Sequence, residues 1–331
     1  MARQIRWGIL STANHALKIL VPAIREAKFG EVVAIVSRDA AKAQQAATEH
    51  GIPTSYGSYE ALLADPNVDV IYNPLPNGLH KEWTIKIAQA GKHCLTEKPM
   101  ALNAADAQEM VTAFRQAGKK LAEAFQWRHH PQCQYVRDTV RAGGIGDLRL
   151  IEAGFSFMLD RPKDVRWDPA LGGGALYDVG CYPISVVRYI TGAEPLSVTS
   201  HVHWHKRGVD DLVVATLEFP GEVFATINCA FILPLRRYYE VVGTTGSLMV
   251  PRTYNPTKAF VGQVIRRGVD RETLETIRFG RKNSYALMVE DFNRAVIEDR
   301  DPLFPGEDGV KNMRVIDAIF QSAREGRAVT L

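Results

Sequence analysis

The chain has 331 residues, 46% hydrophobic and 23% charged, and its 40 basic and 37 acidic side chains leave a net charge of +3. That length suffices for two domains with a sizeable core, and the charge balance, with no long basic run, does not imply nucleic acid, which is not expected as a partner. The sequence has no signal-peptide apolar region and no apolar run able to span a bilayer. Its four cysteines (Cys94, Cys133, Cys181, Cys229) form no Cys-x-x-Cys pair. The expectation is a cytoplasmic protein with free thiols, no membrane partner and no disulfide framework.

The first third alternates strands and helices. Ile5 to Leu10 reads as a buried strand, followed by a helix over about Ala16 to Ala27. Val32 to Val36 is a second apolar strand, and an alanine-rich helix runs from about Ala40 to His50. Val68 to Tyr72 is a strand; Leu79 to Ala90 is a helix stopped by Gly91. His93 to Thr96 and Leu121 to Phe125 add two strands, with a helix opening near Asn103. Continuous apolar strands alternating with helices predict a doubly wound parallel sheet covered on both faces.

The pattern changes near Gln126. A helix over Gln132 to Ala142 leads into a strand beginning at Leu148. An irregular stretch, Leu159 to Leu171, then precedes a glycine-rich helix start. From Leu196 to about Phe279 strands follow one another: Val198 to His205, Leu212 to Phe219, Val223 to Ala230, Tyr238 to Val242, and weaker ones beyond. They predict an α+β domain with a large, mostly antiparallel sheet. Helices over Tyr285 to Ile297 and Asp308 to Glu325 close the chain. The boundaries read as 1–125 and 126–331, with the helix near 308–325 free to pack back on the first domain. Without a flexible linker, the two are expected to be tightly joined.

Gly8-Ile9-Leu10-Ser11-Thr12-Ala13 lies at the first strand–helix turn. A dinucleotide fold places Gly-x-Gly-x-x-Gly/Ala there; this chain keeps the first glycine and the final small residue, with Leu10 at the second glycine position. Gly8 suits a tight turn, Ala13 close helix packing, and Ser11 and Thr12 offer hydroxyls beside a helix N-terminus that favours a pyrophosphate. The second strand ends in Ser37-Arg38, where NAD-binding folds carry an acid. A hydroxyl and a guanidinium suit a 2′-phosphate, so NADP is expected and NAD is possible. Lys42 adds charge, and Asp39 can cap the next helix.

Two further segments carry chemistry. Glu97-Lys98-Pro99 puts a lysine at the carboxyl end of a strand, where open α/β sheets place their ligands. Gly172 to Pro183 has three glycines, then Asp178 and Tyr182 at i, i+4, on one face of a regular helix. Taken alone, that spacing also fits a capping aspartate and a core tyrosine. His201, His203 and His205 share a strand face. With no carboxylate or cysteine placed to complete a site, they read as sheet surface or subunit interface, and no metal site is expected.

These residues, with Asn73-Pro74-Leu75-Pro76-Asn77, His80, and Phe125 to Gln132, resemble the Gfo/Idh/MocA oxidoreductase family over nearly the whole chain. Tyrosine at 182, where the family usually has histidine, is similar to its NADP-dependent xylose dehydrogenase, dimeric dihydrodiol dehydrogenase and glucose–fructose oxidoreductase branch. The resemblance implies an N-terminal Rossmann domain, a C-terminal domain with an open sheet, and a nicotinamide at the cleft between them. It also implies a homodimer or homotetramer built on that sheet. The implied reaction is hydride transfer between NADP and a secondary or hemiacetal alcohol of a sugar or cyclic polyol. Alternatives are a trans-dihydrodiol dehydrogenase, a non-catalytic NADP-binding regulator, or a nicotinamide-dependent redox-neutral glycosidase.

A tyrosine of ordinary pKa about 10 needs a neighbouring cation to act near neutrality, and lysine supplies one. The expected roles are Tyr182 as general acid/base, Lys98 as its electrostatic partner and a donor to the substrate oxygen, and Asp178 as orienter. A neutral Lys98 acting as base is the rival. Leu75, Pro76, Asn77, His80, Glu97, Arg128, Trp167 and Tyr285 are expected on the cofactor side, and Arg166 beside the substrate. The Lys98–Pro99 bond is expected to be cis.

Overall fold

The computed structural model describes residues 3–254 and 261–331. The chain divides into two compact units: Met1–Phe125 with Tyr285–Val310, and Gln126–Ser284 with Lys311–Leu331.

The first unit is built on six parallel strands: β1 (Ile5–Ile9), β2 (Gly30–Val36), β3 (Thr54–Tyr56), β4 (Val70–Asn73), β5 (His93–Thr96) and β6 (Leu121–Glu123). Their order is β3-β2-β1-β4-β5-β6, that of a Rossmann sheet. The connecting helices are α1 (Val21–Glu26), α2 (Ala40–His50), α3 (Tyr59–Ala64), α4 (His80–Gln89) and α5 (Ala104–Ala117). Local chemistry sets several ends. Asp39 caps α2 by accepting from the Ala41 and Lys42 amides, and Asn103 caps α5 by accepting from Asp106. Gly51 and Gly118, both left-handed, terminate the same two helices. The helix expected from Ala16 opens instead with a π-helical turn, Ala16–Leu20, that runs into α1. The short pair β3 and α3 escaped the sequence reading because neither is long enough to show a period.

The second unit carries a nine-stranded sheet. α6 (Pro131–Arg141), β7 (Leu148–Met158) and α7 (Cys181–Thr191) are followed by β8 (Ser197–Trp204), β9 (Asp210–Phe219), β10 (Val223–Ala230), β11 (Ile232–Gly243), β12 (Gly246–Val250), β13 (Gly262–Arg267) and β14 (Thr273–Phe279). α8 (Ser284–Ile297), α9 (Gly306–Glu325) and β15 (Val329–Thr330) complete the chain. The sheet order is β14-β13-β12-β11-β7-β10-β9-β8-β15. Its pairs are antiparallel except β7 with β10. The stretch that returns to the first unit is Tyr285–Val310, earlier in the chain than the 308–325 helix expected to do so. Its anchor is specific: Trp7 Nε1 donates to Asn293 Oδ1 at 2.9 Å, and Tyr285, Met288, Val289 and Phe292 join the core beneath β1.

Candidate active site

In the first unit the site residues gather at the carboxyl ends of β1, β2, β4 and β5. Gly8 is a correction: it lies inside β1, not in the turn. A Cβ there would stand 3.0 Å from Ile71 Cδ1 and Val68 Cγ1, so a side chain at this position would be tight against its neighbours in the sheet. Leu10 is fully buried and its N–H donates to Tyr72 O at 3.0 Å, which spends that amide on the sheet rather than on a ligand. The turn proper is Ser11, Thr12 and Ala13, all partly exposed, with Ser11 Oγ accepting from the Ala13 amide at 3.0 Å.

At the end of β2, Ser37 Oγ accepts from the Asp39 amide, and the Asp39 carboxylate is committed to the cap of α2. Lys42 Nζ stands 3.8 Å from that carboxylate. The Arg38 guanidinium is exposed and has no hydrogen-bond or ion-pair partner among the described residues. An open fork beside a hydroxyl, with the one nearby acid turned to a helix end, fits a 2′-phosphate.

The loops after β4 and β5 are tied together beneath Lys98. His80 opens α4 but is fully buried, a position unlike the cofactor-facing one expected of it. Its Nδ1 lies 2.8 Å from Pro99 O and its Nε2 2.7 Å from Leu75 O. Burial, the dominant influence, draws the ring's pKa down, against the two carbonyls that favour the protonated form. His80 therefore holds the backbones that carry Leu75, Pro76, Asn77 and Lys98. The Lys98–Pro99 bond is cis, as expected.

Glu97 is held on several sides. Tyr72 Oη donates to its Oε1 at 2.6 Å, the Lys98 amide donates to Oε2 at 3.2 Å, and His15 Nε2 lies 3.5 Å from Oε1. Burial opposes its ionisation, but His15, Lys98 and Tyr72 outweigh it and bring its pKa down to about 2. Tyr285 packs edge-on against the His15 ring, centroids 5.7 Å apart. His15 and Tyr72 were missed from sequence; no motif marks either, and only the folded turn brings them to Glu97.

In the second unit Tyr182 is 5% exposed, its ring against Phe155 (5.5 Å) and Tyr254 (5.3 Å). The regular helix expected here is a π-helical turn, Leu176–Gly180, passing into α7 at Cys181. Such turns recur at functional sites. Asp178, within that turn, accepts from Arg166 Nε at 2.6 Å, a partner the spacing did not suggest. Asp164 takes the same guanidinium at 3.2 Å. The three glycines let this loop close on the helix start: the Gly173 and Gly174 amides donate to Asp168 O and Arg166 O. Gly174 has φ +121°, and a Cβ there would fall 2.1 Å from Asp210 Oδ1. Asp210 anchors the helix by accepting from the Leu176 amide at 2.6 Å, while burial pushes its pKa up to about 6. No sequence signal pointed to Asp210, which is 34 residues from its partner.

The remaining expected residues are also in the second unit. Arg128 is buried, its Nε donating to Ser185 Oγ at 2.9 Å. Trp167 is buried against His205 (4.5 Å) and Phe231 (5.5 Å). Of the three alternating histidines, His203 meets a carboxylate the sequence reading did not place there, with Nδ1 2.6 Å from Asp211 Oδ1. Among the described residues no group of three His, Cys, Asp or Glu side chains is placed to hold a metal, and no helix is long and apolar enough to cross a membrane.

A sheet in this strand order, with a helix rising from the loop after β1, defines a dinucleotide-binding framework. Residues 5–125 match the family described as "Oxidoreductase family, NAD-binding Rossmann fold", and residues 133–249 match the "GFO/IDH/MocA C-terminal domain". The chain belongs to the Gfo/Idh/MocA oxidoreductase family. It is 38% identical over 326 residues to D-xylose 1-dehydrogenase (NADP(+)) 2 of Haloferax volcanii, covering 98% of this chain and 99% of the other. Its fold is similar to that of the aldose-aldose oxidoreductase of Caulobacter crescentus, solved with glycerol: TM-score 0.91, 29% identity, 99% of this chain and 100% of that one. The 3-ketoreductase KijD10 of Actinomadura kijaniata, solved with NADP and TDP-benzene, has TM-score 0.91 and 30% identity, with 97% of this chain and 98% of that one covered.

Proposed function

We propose that this protein is an NADP-dependent oxidoreductase that transfers a hydride between the nicotinamide and a CH–OH group of a sugar or polyol. The observation that carries the reading is the loop after β5. Lys98 stands there on a backbone fixed from one side by the Glu97 cluster and from the other by His80. Its relatives named as a xylose dehydrogenase, a dTDP-sugar 3-reductase and dihydrodiol dehydrogenases support the substrate class.

Ser37 and Arg38 would hold the 2′-phosphate, and Ser11 to Ala13 the pyrophosphate. When bound, NADP supplies the hydride acceptor. Tyr182 takes the substrate's hydroxyl proton at its Oη in oxidation and returns it in reduction. The Lys98 ammonium favours the tyrosinate and donates to the substrate oxygen. Asp178 keeps Arg166 oriented, and that pair faces a sugar hydroxyl. The exposed outer sheet face, with Val214 and Phe224, would join a second copy as dimer or tetramer. Four buried free cysteines suit a reducing cytoplasm.

The test is a spectrophotometric screen of aldoses, ketosugars and dihydrodiols with NADP and NAD in parallel, repeated with Lys98→Met and Tyr182→Phe. Each variant should lose about 10²- to 10⁴-fold in turnover while NADP still binds. Wild-type turnover in both would overturn the assignment, and a preference for NAD would overturn the Ser37–Arg38 reading.

A further inference from the structure

Arg237 lies on β11, directly opposite Phe155 of β7 in the antiparallel register. Directly opposed residues share a face and touch. On the same strand Tyr239 and Val241, at period two from Arg237, are fully buried, so its side chain leaves from the inner face. Phe155 is the ring that packs edge-on against Tyr182 and stacks on Tyr254 at 5.0 Å. One neighbour therefore separates Arg237 from the residue assigned to proton transfer.

The charge environment of this arginine is unusual. It is half-buried, and among the described residues no carboxylate lies within ion-pair distance of it and no side chain accepts from its guanidinium. Nor do residues 255–260, Asn-Pro-Thr-Lys-Ala-Phe, supply an acid. The charge that acts on it is another cation: the Thr253 amide donates to Arg237 O at 3.1 Å, which brings Arg252 alongside. Burial first, and then Arg252, push the Arg237 pKa down. Arg166, by contrast, lies between Asp164 and Asp178. A guanidinium taken partly out of water beside a like charge is unfavourable unless an anion joins it. A neutral hydroxyl would not relieve the repulsion, whereas a carboxylate or phosphate would, and either matches the planar fork.

We propose that Arg237 is a specificity residue that receives a carboxylate or phosphate group carried by the sugar substrate, about one ring away from the carbon whose hydroxyl Tyr182 serves. The proposal rests on the oxidoreductase reading and narrows its substrate to anionic sugars.

The test compares kcat/KM with NADP for D-glucuronate, D-glucose 6-phosphate and neutral D-glucose and D-xylose, in wild type, Arg237→Gln and Arg237→Lys. Wild type should favour one anionic sugar, and which one distinguishes carboxylate from phosphate. Arg237→Gln should reduce the anionic-to-neutral ratio of kcat/KM by about 10- to 100-fold, mainly through KM, as loss of a charged hydrogen bond predicts. Arg237→Lys should recover part of that ratio. Melting temperatures separate this effect from misfolding. Neutral sugars turned over with no preference for either anion, or a ratio unchanged in Arg237→Gln, would overturn the proposal and leave the oxidoreductase reading standing. If wild type oxidises none of the four and reduces none of their keto forms, the oxidoreductase reading fails, and the proposal with it.

Discussion

Tyr72, on β4, donates its hydroxyl to Glu97 Oε1, 25 residues further along the chain, at 2.6 Å. The bond ties β4 to the loop that carries Lys98, and it helps keep the Glu97 carboxylate ionised although it is largely withdrawn from water. Tyr72→Phe removes one charge-assisted hydrogen bond and should cost about 1.5–3 kcal/mol of stability. Because Glu97 has a folded pKa depressed to about 2, its stabilisation is present above the ordinary carboxylate range and is lost as pH falls toward 2. Tyr72→Phe should therefore unfold at a higher pH than wild type on acid titration. An unchanged acid midpoint would remove the pair from the stability argument.

His80 is the second tie beneath Lys98, through Pro99 O and Leu75 O. His80→Leu keeps the buried volume roughly filled but removes the one N–H that the neutral ring donates, leaving a buried carbonyl of Pro99 or Leu75 without its donor. Such a group costs about 1–3 kcal/mol, so a clear drop in melting temperature is expected. The loosened loops should also raise KM for NADP more than they lower kcat. A variant of wild-type stability and KM would show that the two loops are held by other contacts.

The pH dependence of stability has a definite sign. Burial brings His93 and His130 down to about 4. Between there and the ordinary histidine value of about 6.5 the unfolded chain binds more protons, so these two lose stability as pH falls. Asp210, raised to about 6 by burial, acts the other way from about pH 4 to 6, because the folded chain then holds the extra proton. Near pH 5 two protons taken up and one released leave a net uptake of one from these three groups. His130 Nδ1 caps α6 by accepting from the Gln132 amide. His130→Asn preserves a capping acceptor and removes the titration. Urea unfolding from pH 4 to 6.5 should then show a slope smaller by about 1.4 kcal/mol per pH unit. Parallel curves for the two proteins would contradict this.

The sequence by itself determined what local chemistry encodes. Apolar strands alternating with helices gave the parallel sheet, and Asn103 marked the opening of α5. The strand before Glu97-Lys98-Pro99 put the lysine at the carboxyl edge of β5. Ser37-Arg38 could be placed just past the end of β2 because the apolar strand fixes where its end lies. Tertiary structure decided the rest, because those contacts join residues that no window of sequence holds together. Gly8 lies within β1, where Ile71 and Val68 leave little room for a side chain. His80 became a buried brace, and Asp178 turned to Arg166 across a π-helical turn that a regular i, i+4 reading does not contain. Arg237 carries no signal in the sequence and lies just outside the strand expected at Tyr238 to Val242; the register of β11 on β7 sets it beside Phe155, with a second cation for company. Local hydrogen bonds and periodicity are written in neighbouring residues, whereas the burial and charge environment that give a side chain its chemistry exist only once distant segments pack.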